Sequence, residues 1–111
     1  MQRLKTRAQF QAVLAAGIVA RTAHFALHRM PSEQASIGVV LPKRWAKRAV
    51  TRNTIKRQIH SVSEAAHLTP AAYVVRLRTG FDRAQFISAT SEPLKRAVRS
   101  ELEQLFQRAA G

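Results

Sequence analysis

Six acidic and four histidine side chains are all that this chain of 111 residues offers for acid-base or metal chemistry. Cleaving a phosphodiester with protein groups commonly needs clustered carboxylates to hold two metal ions, or a histidine pair acting as acid and base. Glu33, Glu64, Asp82 and Glu92 stand alone, and Glu101 and Glu103, two apart on a helical stretch, point in different directions. His24 and His28 are four apart in a stretch that alternates as a strand does, which separates them by about 13 Å at roughly 3.3 Å per residue, too far for shared ligation. A histidine pair would need His60 or His67 to meet one of them in space. No cysteine occurs, so disulfides, thiolate nucleophiles and thiolate metal sites are excluded. With no catalytic residue and no metal ligand set of its own, the chain reads as a binder, and cleavage in any complex it joins falls to a partner.

The basic residues do have a pattern. Lys43, Arg44, Lys47, Arg48, Arg52, Lys56 and Arg57 fall within fifteen residues that contain no Asp or Glu, in a chain of net charge +13 whose first 32 residues contain no acid. Like charges at this density repel one another until a polyanion neutralises them. On a helix from Thr51 to Ala66, Ile55, Ile59, Val62 and Ala66 form one apolar stripe, and Arg52, Asn53, Lys56 and His60 share the neighbouring face with Arg57 at its edge. Such a helix buries one side and aims cations and an amide from the other, as phosphate binding requires. Arg can pair bidentately with phosphate, Lys acts as a point charge, and Asn53 can hold the loop or donate to a 2′-hydroxyl.

The elements that must position these groups follow in order. Thr6 and Gln9 make a capping-box pattern before Phe10, Val13 and Leu14, and Gly17 ends that helix, which spans 7–16. A short β-prone piece, 18–20, precedes a strand over 24–30, with Phe25, Leu27 and Arg29 on one side and His24, Ala26, His28 and Met30 on the other. A strand over 36–41 carries Gly38, a gap that a neighbour can pack into, and Pro42 ends it. After the basic helix, 72–78 alternates as a strand, a loose stretch containing Phe81 and Phe86 follows, and a last helix begins at Ser91 or Glu92 with Pro93 in its first turn. Leu94, Ala97, Val98, Leu102, Leu105 and Ala109 line its buried side. This order, αβββαβα, predicts an α/β (α+β layer) fold, a single domain over 1–111 with three helices packed on a small mixed sheet.

The string Lys43-Arg44, Ala49-Val50, Arg52-Asn53 and Lys56-Arg57, preceded by the strand-like Ile37-Gly38-Val39-Val40, resembles the signature of the protein subunit of bacterial ribonuclease P. The resemblance covers nearly the whole chain and implies a single RNA-binding domain with a small four-stranded mixed sheet and a basic central helix entered from the third strand. It implies a ribonucleoprotein enzyme in which the RNA subunit, with its Mg2+ ions, catalyses removal of the 5′ leader from precursor transfer RNA, while the protein assists. Lys43, Arg44, Arg52, Asn53, Lys56 and Arg57 match the family's RNA-contacting stretch, with Lys47 and Arg48 inside it. His60 stands where a further Arg is common, so contact there is expected to be weaker and pH-sensitive. Phe10 and Phe25 match aromatics of the cleft that receives the single-stranded leader, with Leu14 and His28 at positions where other members often carry aromatics. Phe25 is expected as the floor of that cleft and Arg76 or Arg78 as its margin. Phe10 has two readings, core or cleft, and so does Trp45, an RNA-stacking platform or a lid on the core.

The expected partners are the catalytic RNA and precursor transfer RNA, bound by a monomer. No apolar run approaches the about eighteen residues needed to span a bilayer, and no signal-type segment is evident, so a cytoplasmic protein without a membrane partner is expected. The competing reading is a structural RNA-binding protein of ribosomal type with no role in processing. A helix-turn-helix DNA binder is disfavoured, because the basic helix lies between two strands.

Overall fold

A computed structural model describes residues 1–81 and 92–110, and the expected Phe86 stretch lies outside them. The elements are β1 (Gln2–Arg3), α1 (Arg7–Ala15), β2 (Ile18–Arg21), β3 (Phe25–Pro31), β4 (Ser36–Val40), α2 (Ala49–Ala65), β5 (Ala71–Leu77) and α3 (Glu92–Ala110). They form one mixed sheet in the order β1-β4-β5-β3-β2. The sheet thus has five strands where four were expected. The added strand is β1, which pairs in parallel with β4 through Gln2 and Arg3. Two residues are too few to show a period, and a parallel partner more than thirty positions away leaves no turn signal between them.

Local chemistry accounts for the other boundaries. At the start of α1 the Gln9 amide donates to Thr6 Oγ1 at 3.2 Å, and Gln9 Oε1 accepts from the amides of Thr6 and Lys5 at 3.1 and 2.9 Å. The helix stops where Gly17 takes a φ of +104°, a conformation that costs glycine little. The basic helix α2 begins two residues earlier than its periodicity predicted. Its apolar stripe holds at Ile55, Ile59 and Val62, but Ala66, beyond the last turn, is exposed.

The sheet separates two layers, and strand alternation decides which residues enter each. Phe25 and Leu27 of β3, Ile37 of β4 and Tyr73, Val75 and Leu77 of β5 face α2 and α3, where they pack with Ile55, Ile59, Leu94, Val98, Leu102, Leu105 and Phe106. Phe106 joins that core although the helix pattern omitted it. Fully burying each such side chain contributes about 1.5–3 kcal/mol. On the other face Val13 of α1 packs on Ala72 and Val74, with Leu4, Phe10, Leu14, Met30 and Val40 partly buried around them. Gly38 makes this contact close: a Cβ there would stand 2.5 Å from Phe10 Cε1, so the ring occupies the gap that glycine leaves.

Candidate RNA interface

Pro42 ends β4, and the chain turns tightly, the amides of Trp45 and Ala46 donating to the Pro42 carbonyl at 3.0 and 3.2 Å. Ala46 is buried in the core while Lys43, Arg44, Lys47 and Arg48 around it are exposed. A small apolar residue thus anchors a turn made otherwise of outward cations. The turn is held from two further sides. Arg52 donates from Nη1 to the carbonyls of Ala46 and Lys47, each at 2.9 Å, and Gly80 packs so near the Trp45 carbonyl that a Cβ on it would come to 2.8 Å. Trp45 is 37% exposed, with the Arg44 guanidinium 5.3 Å from its ring centroid, within cation-π range. It is therefore no lid closed over the core.

Asn53, Lys56 and Arg57 lie exposed on α2, and Arg52 and His60 are half-buried beside them. Among the described residues, none of the cations from Lys43 to Arg57 takes part in an ion pair; the pairs present are His24–Glu101, Lys95–Glu92 and Arg99–Glu103. No side chain caps α2 and no acid lies in its first turn, so its N-terminal N–H groups add their partial positive charge to the cluster. His60 titrates below its ordinary value of 6.5, first because it is buried and then because Arg3 and Lys56 lie near, with Glu64 opposing. It is therefore neutral at neutral pH and adds no fixed charge, and its Nε2 is buried without a hydrogen bond among the described residues. Arg3, on the unforeseen β1, is the exposed cation that the sequence pattern missed. Its one signal was the spacing Arg3-x-Lys5 in an acid-free stretch.

The four residues assigned to a cleft do not share a face. Phe10, Leu14 and His28 lie on the α1 side, but Phe25 is fully buried on the side of α2 and α3, and this corrects its expected place. The strand period puts Phe25 with Leu27 and opposite His28, and no stacking surface remains on a ring with no exposure. Phe25 instead makes a tilted contact with Phe81, 6.0 Å between centroids. Phe10 is partly buried over Gly38.

His24 is held in a separate cluster. Glu101 of α3 accepts from Thr22 Oγ1 at 2.7 Å and from the His24 amide at 2.8 Å, and meets His24 Nδ1 at 2.7 Å, while the His24 ring stacks on Phe81 at 3.9 Å. Glu101 thus fastens α3 to the β2–β3 connection. Among the described residues, no three His, Asp or Glu side chains gather closely enough to hold a metal ion, so this part of the chain does not fit a Mg2+ cage of its own. No helix among them is long and apolar enough to cross a membrane.

Residues 1–110 match the family described as Ribonuclease P. A ribonuclease P protein component of Paraburkholderia xenovorans is 40% identical over 81% of this chain and 67% of its own length. One from Bordetella parapertussis is 37% identical over 97% of this chain and 91% of its own. Among solved structures, a Staphylococcus aureus RNase P protein superposes with a TM-score of 0.77 at 21% identity, covering 98% of this chain and 95% of that one. A Thermotoga maritima RNase P protein gives 0.74 at 19% identity over the full length of both. At those identities the two structures speak for the fold, which they share with its three helices and mixed sheet.

Proposed function

The chain belongs to the family of ribonuclease P protein components, and from that premise we propose that it docks a catalytic RNA through the turn 43–48 and α2 and presents its α1 face to the single-stranded 5′ leader of precursor transfer RNA. One observation carries the docking assignment: a dense set of cations, unpaired among the described residues, on a turn fixed by Ala46 and Arg52. Held in place before binding, such a set loses little conformational freedom when phosphates arrive. Lys43, Arg44, Lys47, Arg48, Lys56 and Arg57 supply the charge, Asn53 donates to phosphate or a 2′-hydroxyl, and Arg52 keeps the turn in register.

The RNA performs the cleavage, and its Mg2+ ions are held mainly by its own phosphates. The protein's part is to bind both RNAs and neutralise phosphates that magnesium would otherwise have to screen. Phe10, Leu14 and the open edge of the sheet beside them form the leader surface. The protein works in the cytoplasm, where its RNA partners are made. A ribosomal-type structural role is not favoured by the family match.

The test is cleavage of precursor transfer RNA by the catalytic RNA at low magnesium, with and without the protein. Cleavage at the mature 5′ end should depend on the protein at low magnesium and much less at high magnesium. The purified protein alone should leave the precursor intact; correct processing by protein alone would contradict the division of labour.

A further inference from the structure

His28 of β3 and Arg76 of β5 meet on the α1 side of the sheet. Arg76 is paired in register with Ala26 on one side and Val40 on the other, and the small Ala26 leaves room for the Arg76 chain to reach the next residue on that face, His28. Arg76 Nε donates to His28 Nε2 at 3.3 Å. His28 can accept because it stays neutral: burial first, and the Arg76 charge second, hold it below its ordinary value of 6.5, with the backbone of Leu14 and Gly17 opposing. Arg76 is the charged group that faces the ring; Leu14 of α1 and Gly17 after it present backbone, and β2 presents Ile18, its partner in register.

The bond ties down one corner of the guanidinium and leaves its two terminal nitrogens without an acceptor among the described residues. A fork so held is pre-organised for the two oxygens of a phosphate. Arg78 is occupied otherwise, its Nη1 donating to the Thr22 carbonyl at 2.8 Å. Of the two arginines expected at the margin, Arg76 is thus the one left with a free fork. Its position is also apt. β4 and β5 run parallel with Val40 opposite Arg76, and the chain leaving Val40 enters the basic turn within three residues. Arg76 therefore stands where the α1 face meets the docking cluster.

We propose that Arg76 contacts a phosphate of the single-stranded leader and that His28 is the positioning residue that aims it, an inference that rests on the assignment of the α1 face to the leader.

The experiment uses the assembled ribonucleoprotein, with leader-bearing precursor and leaderless transfer RNA as the two probes. Arg76→Gln should weaken precursor binding about five- to tenfold, leave leaderless binding within about twofold, and lower the slope of log affinity against log salt by about 0.7, the value for one phosphate of a single strand. Arg76→Lys, which keeps the charge but has no fork, should recover the salt slope and only part of the affinity. His28→Ala should weaken precursor binding about threefold. His28→Gln, whose amide oxygen accepts from Nε without titrating, should restore it and hold it constant on acidification, where the wild type weakens as pH falls through the lowered value of His28. Thermal unfolding of each variant separates these effects from lost structure. Equal losses for both RNAs with Arg76→Gln would overturn the inference, as would no loss for either. If Phe10→Ala reduces the preference for precursor and Arg76→Gln does not, Arg76 is excluded while the α1 face keeps the leader. If neither does, the assignment of that face falls as well.

Discussion

Arg52, on the first turn of α2, donates to the carbonyls of Ala46 and Lys47 in the turn that leads into its own helix, so the basic turn and the basic helix form one unit. This arginine, one of the expected RNA ligands, thus has a second task, to hold its neighbours in place. Hydrogen bonds from a charged donor contribute about 1.5–3 kcal/mol, and less where water competes. Arg52→Ala should therefore lower stability in urea by about 1 kcal/mol. It should also weaken RNA binding more than Lys56→Ala does, because four further cations lose their fixed positions. Equal binding losses from the two variants would show that Arg52 acts through its charge alone.

Phe25 is buried between β3 and the helices α2 and α3, against Leu27, Leu77 and Phe81. Removing a buried Phe to Ala costs about 3–5 kcal/mol through lost burial and the cavity left behind. Phe25→Ala should accordingly lower the denaturation midpoint, and under conditions where the variant still folds it should bind precursor and leaderless RNA with equal losses. A tenfold loss confined to precursor would return Phe25 to the leader surface and contradict its place in the core.

One buried and one half-buried histidine make stability depend on pH. In the folded chain His28 and His60 both lie below their ordinary value of 6.5, chiefly through burial, with Arg76 adding to the effect at His28 and Arg3 and Lys56 at His60. As pH falls through 6.5 the unfolded chain therefore takes up protons before the folded chain does, so folding loses free energy. Their contribution is complete above that value and declines toward the lowered folded ones. Urea midpoints should drop between about pH 7.5 and about pH 5.5, and the double variant His28→Gln/His60→Gln should show a smaller drop. A midpoint that rises on acidification, or a drop unchanged in the double variant, would assign the dependence elsewhere.

How much was legible before the fold was known differs from residue to residue. The α2 stripe Ile55, Ile59, Val62 and the Thr6–Gln9 cap were readable because each depends on neighbours within one or two turns of chain. Strand alternation also placed Phe25 with Leu27 correctly. The expectation failed when an aromatic matched by resemblance was set against that period and grouped with His28, which faces the other way. Glu101 could not be read at all, since its partners Thr22 and His24 lie 79 and 77 positions away. Arg52 was half legible: its charge was plain, but its bond to Ala46 exists only once the turn has folded back on the helix.

The central claim is that the exposed cations of the 43–48 turn and α2 dock the catalytic RNA, and the salt dependence of that affinity tests it most directly. Each phosphate neutralised on a helical RNA should contribute to the slope of log affinity against log salt on the order of 0.9, the figure for duplex DNA. Lys56 and Arg57 are exposed, make no ion pair among the described residues, and are not needed for the turn, so replacing both with Ala should leave stability nearly unchanged. The account predicts weaker binding and a slope smaller by about 1 to 2 in the double variant. A stable double variant with the wild-type slope would contradict it.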